Sequence, residues 1–488
     1  MKKFLKWVGF DESKGTTVKR EFIAGVVTFL AMAYILTVNP DQIVGSGSSY
    51  WASVFIATAL GAVVGTLLMA FVAKMPLAQA SGMGLNSMLG GIIGGWGGYG
   101  AAFTPGQGFM LVFISGIAFM LLSVIKFGGK TVRELIFDGM PVSVRSAISV
   151  GIGLFIAFIG FQNAKVINDD PYVLLKLVDF SAYDAATASA AVCILGLFLI
   201  AILDKLNVKG SIIIGVLCAA IIGIPMGVTD LSKLAGNGDV SWKFWENFGN
   251  FFAGENSVFL SFTNVFKEGL APEGVSVFTV IMILMTMCMI DMFDTMGTIV
   301  GCCGGNRTLS DENNKPYNYG KIMIADSVAT CTGAMLGTST VTTFVESGAG
   351  VSAGGRTGLT AFSTACMFFL SMFALPLFAA IPSAAAASAL VYVGVLMMKN
   401  NVKDINFSNA INATSAFLTI AIMVLSYSIT KGIGFGMISY TVMSLILYLF
   451  ELSKYALTKK DKPQFNVSAV AIVVSLLFCI YFFVPVVF

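Results

Sequence analysis

The sequence contains no histidine, and only 11% of its 488 residues are charged. Without imidazole, a His-based metal site is excluded and any proton chemistry falls to carboxylates. So low a charge content is foreign to a soluble domain of this length. Cysteine is present without a useful arrangement. Of the eight, Cys193, Cys218, Cys288, Cys331, Cys366 and Cys479 lie in apolar stretches. Cys302 and Cys303 are adjacent, which suits neither a bridge nor zinc-ligand spacing. All are read as reduced or inert, and no metal or cofactor is expected. A formal net charge of +3 speaks against a nucleic-acid partner. No apolar run precedes Glu21, so residues 1–20 are expected to be a cytoplasmic segment on the membrane surface rather than a cleaved signal peptide.

What the chain does have is apolar length. Hydrophobic residues make up 57% of it, in repeated runs of about 20 residues, the length that crosses a bilayer as a helix. The expected spans are 21–39, 51–73, 78–95 (short), 108–126, 144–163, 186–204 and 210–228, then 275–299, 318–336, 338–355 (short), 358–380, 383–399, 412–429 and 433–451. Seven spans is an odd number, so a second copy enters the membrane the other way up, as an inverted repeat. With the N-terminus inside, 23 Lys and Arg fall on inner ends and loops and six on outer ones, as the positive-inside rule requires. The expected fold is therefore an all-α polytopic membrane protein of about 14 segments in two inverted seven-segment repeats. Residues 21–228 form the first repeat and 275–451 the second, with an outer loop at 229–274 between them. In 452–488, the apolar run 467–487 is expected to cross once more.

Gly337 to Arg356, GTSTVTTFVESGAGVSAGGR, is too Gly-rich for one regular helix. Thr338 to Val345 reads as extended chain, a short helix can open at Ser347, and Glu346 sits at the junction. A carboxylate at a break in a membrane segment is costly in lipid and points to a transporter binding site. The first copy has a counterpart at Gln79 to Gly91, QASGMGLNSMLGG. Ser81-Gly82-Met83-Gly84 matches Ser347-Gly348-Ala349-Gly350, which sets Asn86 opposite Ser352. Pro141 and Gly153 likewise match Pro382 and Gly394.

Asp291 and Asp294 are three apart on span 275–299, hence on one helix face, where Asp291 is expected to face Glu346. Asp326 is a further buried acid. Half-helix N-termini attract anions, but acids stand beside both breaks here, so the cargo is expected to be a cation or a neutral molecule rich in N–H donors. A nucleobase fits: its N–H groups donate to carboxylates, and its carbonyl and ring nitrogens accept from backbone and from Asn86. Phe344 and Phe293 can supply flat walls. Gly84 and Gly348 allow close approach of backbone. The expected binding set is Glu346, Asp291, Asn86, Gly84, Gly348 and Ser352, with Asp294, Asp291 or Glu346 carrying a coupling proton. Sodium is the other ion the residues leave open. No expected span carries the GxGD-type motif of an intramembrane aspartyl protease, and Asp291 and Asp294 on one helix turn are the wrong geometry for a dyad drawn from two helices. Broken helices also allow a channel, although buried acids near the midplane of a two-copy fold favour a gated site. A carrier for an inorganic anion such as sulfate or bicarbonate is disfavoured by the acids at both half-helices.

The residues assembled here, REFIAGVVTFLAMAYILTVNP (20–40), SGMGLN (81–86), DMFDTMGT (291–298) and GTSTVTTFVESGAGVSAGGRTGLT (337–360), resemble the AzgA-like guanine/hypoxanthine permeases, a branch of the nucleobase–ascorbate transporter superfamily. The resemblance runs from Lys19 to about Glu451. It implies a core domain from the first four spans of each repeat (21–126 and 275–380) and a gate domain from the last three (144–228 and 383–451). It also implies alternating access of core against gate, proton symport of purines, and a homodimer through the gate. The family's binding positions carry over to Asn86, Asp291 and Glu346, with Asp294 as a supporting acid. The histidine that some branches use has no counterpart.

Overall fold

In the computed structural model, which describes residues 2–95, 101–127, 130–170, 174–182, 184–235, 240–303, 306–311, 316–458 and 467–483, apolar runs become helices because a backbone in lipid must satisfy its own hydrogen bonds. A short α1 (Lys2–Trp7) precedes the first repeat. α2 (Val18–Met32) starts where Thr17 Oγ1 accepts from the Arg20 amide at 3.3 Å. It breaks at Ala33–Tyr34 and continues as α3 (Ile35–Ile43). α4 (Trp51–Leu68) ends in a π turn, Met69–Ala73, closed by Lys74 at φ +55°. A three-residue strand, β1 (Gln79–Ser81), and a half-length helix, α5 (Met83–Gly94), make the first broken segment. α6 (Pro105–Val124) opens on a capping box of Thr104 and Gln107. The paired strands β2 (Lys126–Phe127) and β3 (Lys130–Thr131) lead to α7 (Val132–Gly139) and α8 (Val142–Asn163). The hairpin β4 (Ile167–Asp170) and β5 (Leu174–Leu177) precedes α9 (Ala185–Lys205) and α10 (Ser211–Gly223).

Residues 229–274, read from the sequence as a loop, contain two helices, α11 (Phe244–Ala253) and α12 (Val258–Glu268). Val258, Phe262 and Val265 are buried at the i, i+4, i+7 spacing of an amphipathic helix. They seat α12 on α6, where a Cβ on Gly106 would fall 2.1 Å from Ser261 O.

The second repeat follows as α13 (Val277–Cys303), α14 (Tyr319–Leu336), β6 (Val341–Thr343), α15 (Ser347–Ser352) and α16 (Gly358–Ser371), which runs through a tight turn into α17 (Leu375–Ala379). α18 (Ser383–Asn401), α19 (Ala410–Leu425) and α20 (Ile429–Thr458) complete it. Among the described residues, nine helical stretches are long and apolar enough to cross a membrane. α14 is not one of them: Asp326, Ser327 and Thr330 lower its hydropathy, and all three are buried against neighbouring helices rather than facing lipid. α21 (Ala469–Phe483) lies antiparallel along α20, with Thr441 Oγ1 2.7 Å from Ser475 Oγ and the Phe435 and Phe482 rings 5.2 Å apart.

The helices sort into two packing groups. α2–α6 pack with α13–α16, and α8–α10 pack with α18–α20. The repeats are inverted: β1 and β6 pair antiparallel, Gln79 with Thr343, Ala80 with Thr342 and Ser81 with Val341. The same pseudo-two-fold brings α8 against α18, where Gly153 and Gly394 face each other; a Cβ on Gly394 would fall 2.4 Å from Gly153 O. The two glycines matched in the sequence are thus contact partners.

Candidate functional site

The centre of the molecule is the β1–β6 pair. Each strand is only three residues long, yet its polar groups are used. The Gly82 amide donates to Thr340 O at 2.9 Å and the Phe344 amide to Ala78 O at 3.0 Å, extending the ladder at both ends. Gln79, Ser81, Thr338, Ser339, Thr340 and Thr342 are fully buried around it. Such hydroxyl-rich surroundings suit irregular backbone inside a membrane protein, where unpaired peptide groups would cost several kcal/mol.

A cavity of about 50 Å³ opens beside this pair. Gly84 of α5, Asp294 of α13, and Thr343, Phe344 and Glu346 from the end of β6 and the turn after it line one wall. Ile152 of α8 with Val393 and Met397 of α18 line the other. One wall therefore comes from each packing group. Glu346 Oε1 accepts from Tyr34 Oη at 2.7 Å, and Asp294 Oδ2 accepts a longer bond from Thr342 Oγ1 at 3.4 Å. A carboxylate has two oxygens and room for several donors, so each acid can also accept from N–H groups of a cargo. A larger space of about 440 Å³ lies two turns further along α8, lined by Asp41, Gln42, Ser87, Asn163 and Tyr427 among others.

The expected pairing of Asp291 with Glu346 is corrected by this geometry. Asp294, one turn along α13, shares the cavity with Glu346, whereas Asp291 is buried behind it and accepts from Thr330 Oγ1 at 3.3 Å. The two acids share a side of the helix, but the rise of about 5 Å between them separates their surroundings. Asn86 is also buried away from the cavity. Its Oδ1 accepts from Ser339 Oγ and its Nδ2 donates to Ser81 O at 3.4 Å, so it ties α5 to the extended chain of the other repeat. Gly348 sits beside Cys302, and Ser352 is exposed at the end of α15; neither lines the cavity. Gly84 does, and Phe344 does. The Phe293 side chain lies outside the described residues. Asp326 is a structural hub, accepting from Gln79 Nε2 (2.8 Å), Thr295 Oγ1 (2.8 Å) and Thr343 Oγ1 (3.3 Å).

The sequence match also shifts. Counted outward from the Ala80–Thr342 pair, Gly84 and Glu346 stand at the same step, and both line the cavity. The Ser-Gly-x-Gly match aligns Gly84 with Gly350 instead, four residues out of the strand register. Tyr34, which holds Glu346, escaped the sequence reading because it lies in an apolar run. Its signal is the helix break at Ala33–Tyr34, which frees a polar side chain to reach the centre.

Comparison with known proteins places this geometry. The family model Xan_ur_permease, described as a permease family, matches residues 19–435. The guanine/hypoxanthine permease PbuO of Bacillus subtilis is 36% identical over 88% of this chain and 92% of its own length. The adenine permease AdeP of Escherichia coli is 34% identical over 88% of each chain. Among solved structures, the transmembrane domain of the cyanobacterial bicarbonate transporter BicA superposes with a TM-score of 0.56 at 13% identity, over 86% of this chain and 96% of its own. That last likeness concerns the fold. With a family match over most of its length and an inverted-repeat membrane fold around a central cavity, the chain belongs to the Xan_ur_permease family of multi-pass membrane transporters.

Proposed function

We propose that the protein is a secondary active transporter that imports purine nucleobases, hypoxanthine, guanine and/or adenine, by proton symport across the plasma membrane, with its N-terminus in the cytoplasm. The observation that carries the reading is the pair of carboxylates, Asp294 and Glu346, in a cavity walled by both packing groups. Two acceptor-only groups suit the N–H edge of a purine, and the apolar faces of Phe344, Ile152 and Val393 suit its ring. Relatives named as adenine and guanine/hypoxanthine permeases support the same cargo. Walls drawn from both packing groups support alternating access. In this reading α2–α6 and α13–α16 form a core that moves against a gate of α8–α10 and α18–α20, and the 440 Å³ space is the outer vestibule. A gate-mediated homodimer belongs to the same proposal. The fold is shared with a bicarbonate transporter, but two carboxylates in the cavity disfavour an inorganic anion.

The test is uptake of radiolabelled hypoxanthine into cells lacking their own purine permeases, with unlabelled adenine, guanine, xanthine and uracil as competitors. Purines are expected to compete. Glu346→Gln is expected to lower uptake by roughly two- to thirtyfold, since a hydrogen bond to a charged group contributes roughly 1.5–3 kcal/mol against about 1 for a neutral one. Absence of uptake of every base by protein present in the membrane would overturn the proposal.

A further inference from the structure

Arg133 of α7 takes no part in the cavity. It is 1% exposed, and its guanidinium lies over the Phe119 ring of α6, 3.9 Å from the centroid. Nη1 makes one long hydrogen bond, to Ser123 Oγ at 3.4 Å, while Nε and Nη2 have no partner among the described residues. A buried guanidinium with unmade donors is unfavourable unless neighbouring charge offsets it.

Two acids converge on the same place. One turn of α6 from Phe119, Ser115 Oγ lies 3.4 Å from Cys288 Sγ of α13, and Asp291 is the next residue on that face of α13. Gly116 packs on Thr330 and Cys331 of α14, and Thr330 is the donor to Asp291. Asp326 is one turn before Thr330. Asp291 Oδ1 is itself without a partner among the described residues. α7 also packs against α13, and Tyr319 of α14 and Cys288 of α13 are further titratable groups on the helices around Arg133. Glu134 and Asp138 share α7 with it, and α21, which also packs on α7, carries no charged residue. The route from the cavity is short: Thr343 lines the cavity and donates to Asp326.

We propose that Arg133 is a positioning residue for ion coupling, a fixed positive charge behind the cavity beside the helices that carry Asp291 and Asp326, so that a proton taken up at the cavity is released towards α7. A cation beside a carboxylate stabilises its charged form, and a site that must let go of a proton in every cycle needs that bias. The proton moves between carboxylate oxygens and water, with no other bond made or broken. This deepens the proposed symport and rests on it.

The experiment uses purified protein in liposomes and whichever purine the unaltered protein transports. Net uptake driven by a pH gradient is compared with counterflow at equal pH on both sides, for Arg133→Gln, Arg133→Lys and the paired Arg133→Gln/Asp291→Asn. Arg133→Gln is expected to lose roughly tenfold or more of net uptake, to regain part of it as the internal pH is raised, and to keep counterflow within about threefold, because counterflow needs no proton release. Arg133→Lys keeps the charge and is expected to retain the original pH profile. If net uptake and counterflow fall in parallel, or the pH profile is unchanged, the assignment is overturned while symport stands. If the unaltered protein ignores the pH gradient, symport itself fails. Should Arg133→Gln not reach the membrane, the paired variant, which removes one buried acid together with the buried cation, carries the test: counterflow retained with net uptake indifferent to pH supports the proposal, and equal loss of both overturns it.

Discussion

β1 reaches α5 through one residue, Gly82, whereas β6 reaches α15 through three, Phe344, Val345 and Glu346. The first helix then runs for 12 residues and the second for six. The strands themselves pair residue for residue, so the two repeats agree in the extended part and differ at the junction. The difference separates two jobs. The first repeat contributes clearance, through Gly84 at the cavity wall, and a long half-helix fastened by Asn86. The second contributes chemistry, because its longer junction carries a carboxylate and an aromatic ring into the same cavity.

The sharpest way to break this division is to remove the clearance. A Cβ on Gly84 would lie 2.9 Å from Ile152 Cγ2, so Gly84→Leu is expected to fill the cavity and abolish measurable uptake while the protein still reaches the membrane. Substantial uptake would show that Gly84 does not face the cargo.

The next largest effect concerns the carboxylate's support. Tyr34→Phe deletes the 2.7 Å bond to Glu346. Loss of a bond to a charged group, about 1.5–3 kcal/mol, predicts roughly a ten- to hundredfold rise in the half-saturating purine concentration. An unchanged value would mean that Tyr34 does not hold Glu346 in the loaded state.

The smallest effects contrast Asn86 and Ser352, set opposite each other by the sequence match. Asn86→Ala leaves Ser339 without its buried acceptor and is expected to destabilise the fold by about 1–3 kcal/mol. Ser352→Ala, at an exposed helix end, should stay within about 0.5 kcal/mol. Thermal unfolding of both variants in detergent checks the contrast, and equal melting temperatures would contradict it.

The architecture was legible because its signals are coarse. Apolar length, the alternation of charge between the two sides and two glycine-rich interruptions require no side-chain detail. Gly153 and Gly394 were legible as equivalents, though not as contact partners, since that takes the pseudo-two-fold axis. The site was legible in composition but not in orientation. A three-residue spacing places Asp291 and Asp294 on one helix face and cannot say which of them meets the opening. Ser352 was mismatched because the shared tetrapeptide falls partly in a strand in one repeat and wholly in a helix in the other. Tyr34 and Arg133 stayed hidden for opposite reasons, one as an aromatic among many and the other as one more positive charge between two apolar runs.

The β1–β6 pair also bears on how the protein is made. Gln79–Ser81 enters the membrane with one edge of its backbone unsatisfied, and no described residue of its own repeat completes it. Its partner does not exist until Val341–Thr343 has been synthesised. That edge therefore stays open through translation of α6 to α14. The central cavity, which also takes Val393 and Met397 of α18, can assemble only after both β6 and α18 have been made.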